Sequence, residues 1–190
     1  MAEHGFAAPG LDAQRVFRTL LTALAEPGRV MLLAPGCLPP EPLDPVAAAV
    51  VLALCDADTP LWLAPSFAAA ADFLRFHTGA PVVPTPAAAS FVVSDVAHRP
   101  PLAALDPGTP DYPDRAATLI LAVAALEENA GWRLAGPGVP GRRAFRPRGV
   151  DDGFRAERQA QQARFPLGVD VVFCARDRLA GLPRSTRLEG

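Results

Sequence analysis

Between Leu11 and Ala25 the apolar residues Val16, Phe17, Leu20, Leu21 and Leu24 recur at helical spacing, with Asp12 placed as an N-cap and Pro27-Gly28 closing the run. A short strand is predicted from Val30 to Leu33. Asp44 before Pro45 predicts a capped helix start leading into Val46 to Leu54, and Pro60 to Leu63 reads as another strand. Ser66 is placed to cap a helix running through Phe76, with Gly79 at its stop. The β-branched stretches Ser90 to Ser94 and Thr118 to Val123 read as strands, though the second could also be helical and continue into Ala124 to Glu128. Trp132 to Ala135 predicts a strand running into the turn Gly136-Pro137-Gly138. Asp151 to Arg164 then predicts a polar, arginine-rich helix, and Val169 to Cys174 a final strand.

This alternation predicts an α/β protein, a three-layer α/β/α sandwich with helices on both faces of a mixed sheet whose strand order is open. The chain has 190 residues, half of them hydrophobic, enough for one substantial core and a single domain over 1–190, with 1–10 as a flexible N-terminal arm. The Pro-rich stretches Pro39 to Pro45 and Arg99 to Pro110 read as loops within it. The longest apolar run, Pro45 to Cys55, falls short of a bilayer crossing, and the N-terminus lacks the basic and apolar regions of a leader. A cytoplasmic protein with no membrane association is expected. Cys37, Cys55 and Cys174 are odd in number and far apart, which suits buried, reduced thiols.

Composition narrows the chemistry further. All 18 basic residues are arginine. A GC-rich genome accounts for that, and whatever its cause it excludes a pyridoxal-phosphate Schiff base, a P-loop lysine and an amine nucleophile. Any bound anion must be held by arginine, backbone amides or histidine. The net charge is -2, but residues 1–130 carry 6 Arg against 14 acids and residues 131–190 carry 12 Arg against 6. A basic C-terminal third can attract a phosphorylated ligand or an acidic partner, or can simply neutralise the acidic part within one globule. No nucleic-acid motif is present.

Four phrases join a turn residue to a polar group at the end of an apolar stretch: FHTGAP from Phe76, LAGPGV from Leu134, FPLGVD from Phe165 and LPRST from Leu182. In the first, His77 and Thr78 close a helix, so that the dipole could tune the histidine, or the pair could serve only as a cap. In the second, Gly136 to Gly141 followed by Arg142 and Arg143 could wrap amides around a phosphate, or form a plain turn, since its two prolines remove donors. Arg142, Arg143, Arg146, Arg148, Arg155, Arg158 and Arg164 form a run suited to an acidic protein or a polyphosphate. Asp170 could orient His77 or an arginine, or cap a turn. Arg184 stands beside Ser185 and Thr186, a pattern compatible with anion binding or docking. Metal-ligand spacings and nucleophile motifs are absent, and no metal or cofactor is expected.

Taken in order, VFRTLLTALAEPGRV from Val16, LCDADTPLWL from Leu54, FHTGAP, AATLIL from Ala116, LAGPGV, FPLGVD and LPRST resemble the H subunit of the bacterial carbon-phosphorus lyase system for phosphonate breakdown. The resemblance spans nearly the whole chain and departs at Ala116, where the pattern usually carries glycine. It implies a fold similar to a reduced pyridoxal-phosphate-dependent transferase without its cofactor. It implies a homodimer when the chain is alone and a place among the other subunits of a core complex. That complex is associated with displacing adenine from ATP by a phosphonate to give ribose 1-phosphonate 5-triphosphate. The chain is then either an accessory, non-catalytic subunit or one that itself binds ATP or a phosphonate through His77, Arg142, Arg143 and Arg184.

Overall fold

The computed structural model describes residues 3–189. Asp44 caps helix α2 (Pro45–Leu54) as predicted, its Oδ1 accepting the Val46 and Ala47 N–H groups at 2.8 and 3.1 Å. Gly79 likewise ends α3 (Ala71–Thr78) in the left-handed conformation. Two caps differ from expectation. Helix α1 (Pro9–Ala25) begins before Asp12, with Ala8 at the cap and Pro9 at the first position. The buried Asp12 carboxylate instead reaches back one turn to accept the Ala8 N–H at 2.9 Å. Ser66 caps nothing, because residues Pro65–Ala70 form a 3-10 turn and α3 starts only afterwards. Of the expected N-terminal arm, the first two residues lie outside the described region. His4 exchanges backbone hydrogen bonds with Leu38, and Phe6 packs on the core.

Strands β1 (Met31–Leu32), β2 (Leu61–Leu63), β3 (Phe91–Asp95), β4 (Thr118–Ala122), β7 (Asp170–Ala175) and β8 (Arg178–Leu182) form one sheet in the order β1-β8-β7-β4-β3-β2. Strands β2, β3, β4 and β7 run parallel, whereas β8 pairs antiparallel with both β7 and β1, so the sheet is mixed as predicted. A second sheet of β5 (Leu126–Ala135), β6 (Arg143–Pro147) and β9 (Arg187–Glu189) is antiparallel in the order β6-β5-β9. The helical alternative after Ala124 therefore gives way to β5, which extends the predicted Trp132–Ala135 strand backwards through a bulge between Glu128 and Trp132. Strands β6, β8 and β9 were not anticipated.

Alternation along the central strands shows why both faces of the main sheet must be covered. Ile120, Val172, Cys174 and Leu179 face α1, α2 and α3, while Leu119, Leu121, Val171, Phe173 and Ala180 face the opposite way. The helical layer is sealed by α2, whose residues Val46 through Val51 are all buried. The opposite layer is not the expected set of helices. It is the small sheet together with α4 (Asp152–Gln162), capped by Asp151 through the Phe154 N–H at 3.0 Å. The core is consequently two apolar layers separated by the sheet. On the second side Trp132 stacks on Phe154 at 5.5 Å, and Phe173 meets Phe145 and Phe154 at 5.6 and 5.8 Å, joining β5, α4, β7 and β6 through aromatic contact.

The three cysteines are free and buried. Burial first, and then the charges of Asp12 and Asp44, push the Cys37 thiol up to about 12; burial and Asp56 do the same to Cys55. Both thiols stay protonated at neutral and mildly alkaline pH, so a thiol reagent should label the native chain only at the rate of unfolding and should label all three sites at once in denaturant. Phe173→Ala should destabilise the fold by about 3–5 kcal/mol, read from denaturant melts, because it empties the middle of the aromatic layer.

Candidate functional site

The helix stop Pro27-Gly28 and three of the four phrases, LAGPGV, FPLGVD and LPRST, converge on the seam between the two sheets. Helix α1 ends at Pro27-Gly28, where the Gly28 N–H donates to the Gly181 carbonyl at 3.0 Å. The turn Gly136-Pro137-Gly138 packs against that end so closely that a Cβ on Gly138 would lie 1.9 Å from the Ala25 oxygen, at a φ of 75°. Only glycine fits there. Arg143, at the start of β6, donates to the Glu26 and Pro27 carbonyls at 3.0 and 2.8 Å. These groups lie at the helix C-terminus, where carbonyls are orphaned and a positive charge is favoured by the dipole.

The other two signatures meet around α4. Arg158, fully buried, sends Nη1 to the Val169 carbonyl at 2.6 Å and Nη2 to the Leu182 carbonyl at 3.5 Å and to the Pro183 carbonyl. Burial lowers its pKa to about 10, with Asp170 opposing that shift and Arg184 adding to it, so it remains a cation at neutral pH. Asp170 accepts the Arg184 N–H at 2.7 Å, and a guanidinium nitrogen of Arg184 stands 3.6 Å from its other oxygen. Arg184 itself donates to the Gly168 carbonyl at 3.2 Å and to the Pro113 carbonyl. Arginine suits these positions because one planar fork can serve carbonyls on several segments, which a lysine ammonium does less well.

The candidate residues therefore fall into three environments. His77 and Thr78 close α3, where the Thr78 hydroxyl donates to the Leu74 carbonyl at 2.7 Å and accepts the Ala80 N–H at 3.0 Å. The exposed His77 ring packs over Gly5 and meets Phe73 and Phe76 edge-on. Arg142 precedes β6 and pairs with Glu189 at 2.7 Å, and Arg143 opens the strand. Asp170 and Arg184 form the third group, so Asp170 orients an arginine and not His77. Ala116, where glycine was the usual residue, has a φ of -58° that alanine adopts freely.

Several open features lie at or near this seam and at the sheet ends, three of them lined by residues of the turns and caps described above. A cleft of about 350 Å³ is lined by Pro137, Gln162, Phe165, Arg184, Ser185 and Arg187, with the Phe165 ring 60% exposed at its edge. A smaller slot of about 170 Å³ lies between α4 and the loop at Leu102–Pro107. The widest, about 580 Å³, lies at the carboxyl ends of β3 and β4 and is acidic, with Glu41, Asp44 and Asp95 on its wall. Asp44 is already engaged by the α2 cap and by the Arg176 N–H at 2.8 Å, and Asp95 by His98 at 2.9 Å. Among the described residues no group of three or more potential metal ligands is brought together.

Sequence inspection placed Arg158 within a run of exposed arginines and missed its burial. The signal was its position four residues after Phe154, on the same face of α4. It also missed Glu157, which takes both guanidinium nitrogens of Arg99 at 2.9 Å and the Leu102 N–H at 2.6 Å, fastening the Pro-rich loop to α4. Burial alone would raise the Glu157 carboxyl, but these bonds outweigh it and hold it below its ordinary value.

Comparison with known proteins adds an independent finding. The family described as bacterial phosphonate metabolism protein (PhnH) matches residues 4–189. The chain is 40% identical over 187 residues to alpha-D-ribose 1-methylphosphonate 5-triphosphate synthase subunit PhnH of Rhizobium meliloti strain 1021, covering 97% of this chain and 94% of that protein. It is 33% identical over 175 residues to HtxG of Stutzerimonas stutzeri, described as a C-P lyase subunit protein, covering 92% and 85%.

Two outcomes are expected from this geometry. Arg158→Met should cost on the order of 3 kcal/mol in denaturant melts, since it strands buried carbonyls without a donor, and Arg158→Lys should fall between it and wild type. Because the folded-state pKa of Glu157 is depressed, its stabilisation is complete above the ordinary carboxylate range and fades as pH falls through the lowered value. The stability gap between wild type and Glu157→Gln should therefore be widest near neutrality and close in acid, as followed by thermal melts across pH.

Proposed function

From the premise that this chain belongs to the bacterial phosphonate metabolism protein (PhnH) family, we propose that it is an accessory, non-catalytic subunit of the carbon-phosphorus lyase core complex. The complex forms ribose 1-phosphonate 5-triphosphate from ATP and a phosphonate. The chain's part is to dock on the other core subunits, and it forms a homodimer in their absence. It works in the cytoplasm as a single domain, a reduced relative of the pyridoxal-phosphate-dependent transferases that needs no cofactor.

One observation carries this reading. The arginines best placed by sequence to hold an anion, Arg143 and Arg184, commit donors to carbonyls of their own chain, and His77 sits with aromatic neighbours in a different environment. They hold turns together. A second reading, that the chain itself binds nucleotide or phosphonate, draws support from the 350 Å³ cleft, where Arg187 and Ser185 sit beside Arg184 and the exposed Phe165 could stack on a base.

The two readings separate by calorimetric titration of the purified chain with ATP and with methylphosphonate, alongside co-purification with the core subunits. Co-purification without heat of binding is expected. Arg143→Ala should lower stability by about 1–3 kcal/mol while leaving the absent ligand response unchanged. Saturable ligand binding by the isolated chain that disappears in Arg187→Ala would replace the accessory reading with the second one.

A further inference from the structure

The small sheet covers the main sheet with one face and leaves the other uncovered. On β5, β6 and β9 the buried Leu134, Phe145 and Leu188 point inward, so period-two alternation turns Arg133, Arg146, Arg187 and Glu189 outward. The register places Arg133 opposite Glu189 on one side and Ala144 on the other. Arg187 is two residues from Glu189 and Arg146 two residues from Ala144. The three arginines consequently form a diagonal across all three strands, each step about 7–8 Å.

The carboxylates of this face are already engaged. Glu189 pairs with Arg142 at 2.7 Å and Glu127 with Arg148 at 2.6 Å. Among the described residues Arg133, Arg146 and Arg187 have no carboxylate within ion-pair distance, in contrast to Arg15, Arg29, Arg75 and Arg99. Arg155 of α4 extends the row, lining with Arg146 and Asp152 a polar cleft of about 240 Å³.

We propose that the outer face of the three-stranded sheet, along the diagonal Arg187-Arg133-Arg146, is the docking surface for an acidic face of another subunit of the assembly. This rests on the accessory-subunit reading above. Arg146 and Arg187 line different clefts, so the spacing is that of a row and not of one anion pocket. It matches carboxylates at alternate positions of an extended segment, whose same-face side chains repeat every 6–7 Å or so. A nucleic acid fits less well, because the outward residues are arginine, glutamate and alanine with no aromatic platform.

Co-expression with the other core subunits, followed by size-exclusion analysis over about 0.05–0.5 M salt, tests this directly. Arg133→Glu/Arg146→Glu should weaken assembly about tenfold or more and flatten its salt dependence, whereas Arg18→Glu/Arg75→Glu on the helical side should assemble as wild type does. Should the glutamate pair fail to fold by circular dichroism, Arg133→Gln/Arg146→Gln should show the same loss to a smaller degree. Wild-type assembly matched by the variant at every salt concentration would overturn the proposal and leave the accessory reading standing. Equal loss in the helical-side control, or capture of an oligonucleotide through Arg133 and Arg146, would overturn it as well. A wild-type chain that does not assemble at all would remove the accessory reading itself.

Discussion

A single buried cation, Arg158, fixes how α4 sits on the central sheet. Moving a charge out of water costs several kcal/mol even after relaxation, and the fold recovers that cost only because three backbone carbonyls turn toward the guanidinium. Those carbonyls belong to the residues entering β7 and leaving β8. One side chain on α4 thus sets the helix against two neighbouring central strands. Phe154, one turn earlier on the same face, stacks on Trp132 and so carries the position of α4 into the small sheet. Asp170 lies close enough to ease the burial of charge while holding the Arg184 turn, so polar and aromatic contacts on α4 enforce one placement together.

The helical side depends on different physics. There α2 is apolar around nearly its whole circumference and small in side chain, which lets it lie flat between the sheet and its neighbours without a single internal charge. The same chain thus closes one face by close packing of alanine and valine and the other by arginine-capped turns over an aromatic layer.

Features that announce themselves locally were legible. Asp44-Pro45, Gly79, β7 and the polar α4 all follow from caps, breakers or dense β-branching within a few residues. Short strands that alternate arginine with apolar residues were not. In Arg143-Ala144-Phe145-Arg146-Pro147 the inward Phe145 is the one strong signal, and an arginine-rich composition hides it. The same composition hid Arg158, which differs from its exposed neighbours only by sharing a helix face with Phe154. Four of the turn signatures make their contacts with one another across the seam. That is a long-range fact invisible to spacing along the chain.

The pairing of Met31 in β1 with Leu179 in β8, and of Arg143 with the end of α1, ties the opening of the chain to its close. As the polypeptide leaves the ribosome, α1 and β1 emerge with an apolar face and an open strand edge; α2 follows soon and covers part of α1, but β8, which pairs with β1 and packs on α1, is made almost last. The nascent chain must carry that uncovered surface through most of its synthesis, so the seam is where slow translation, chaperone capture or pairing with a neighbouring nascent copy would act first.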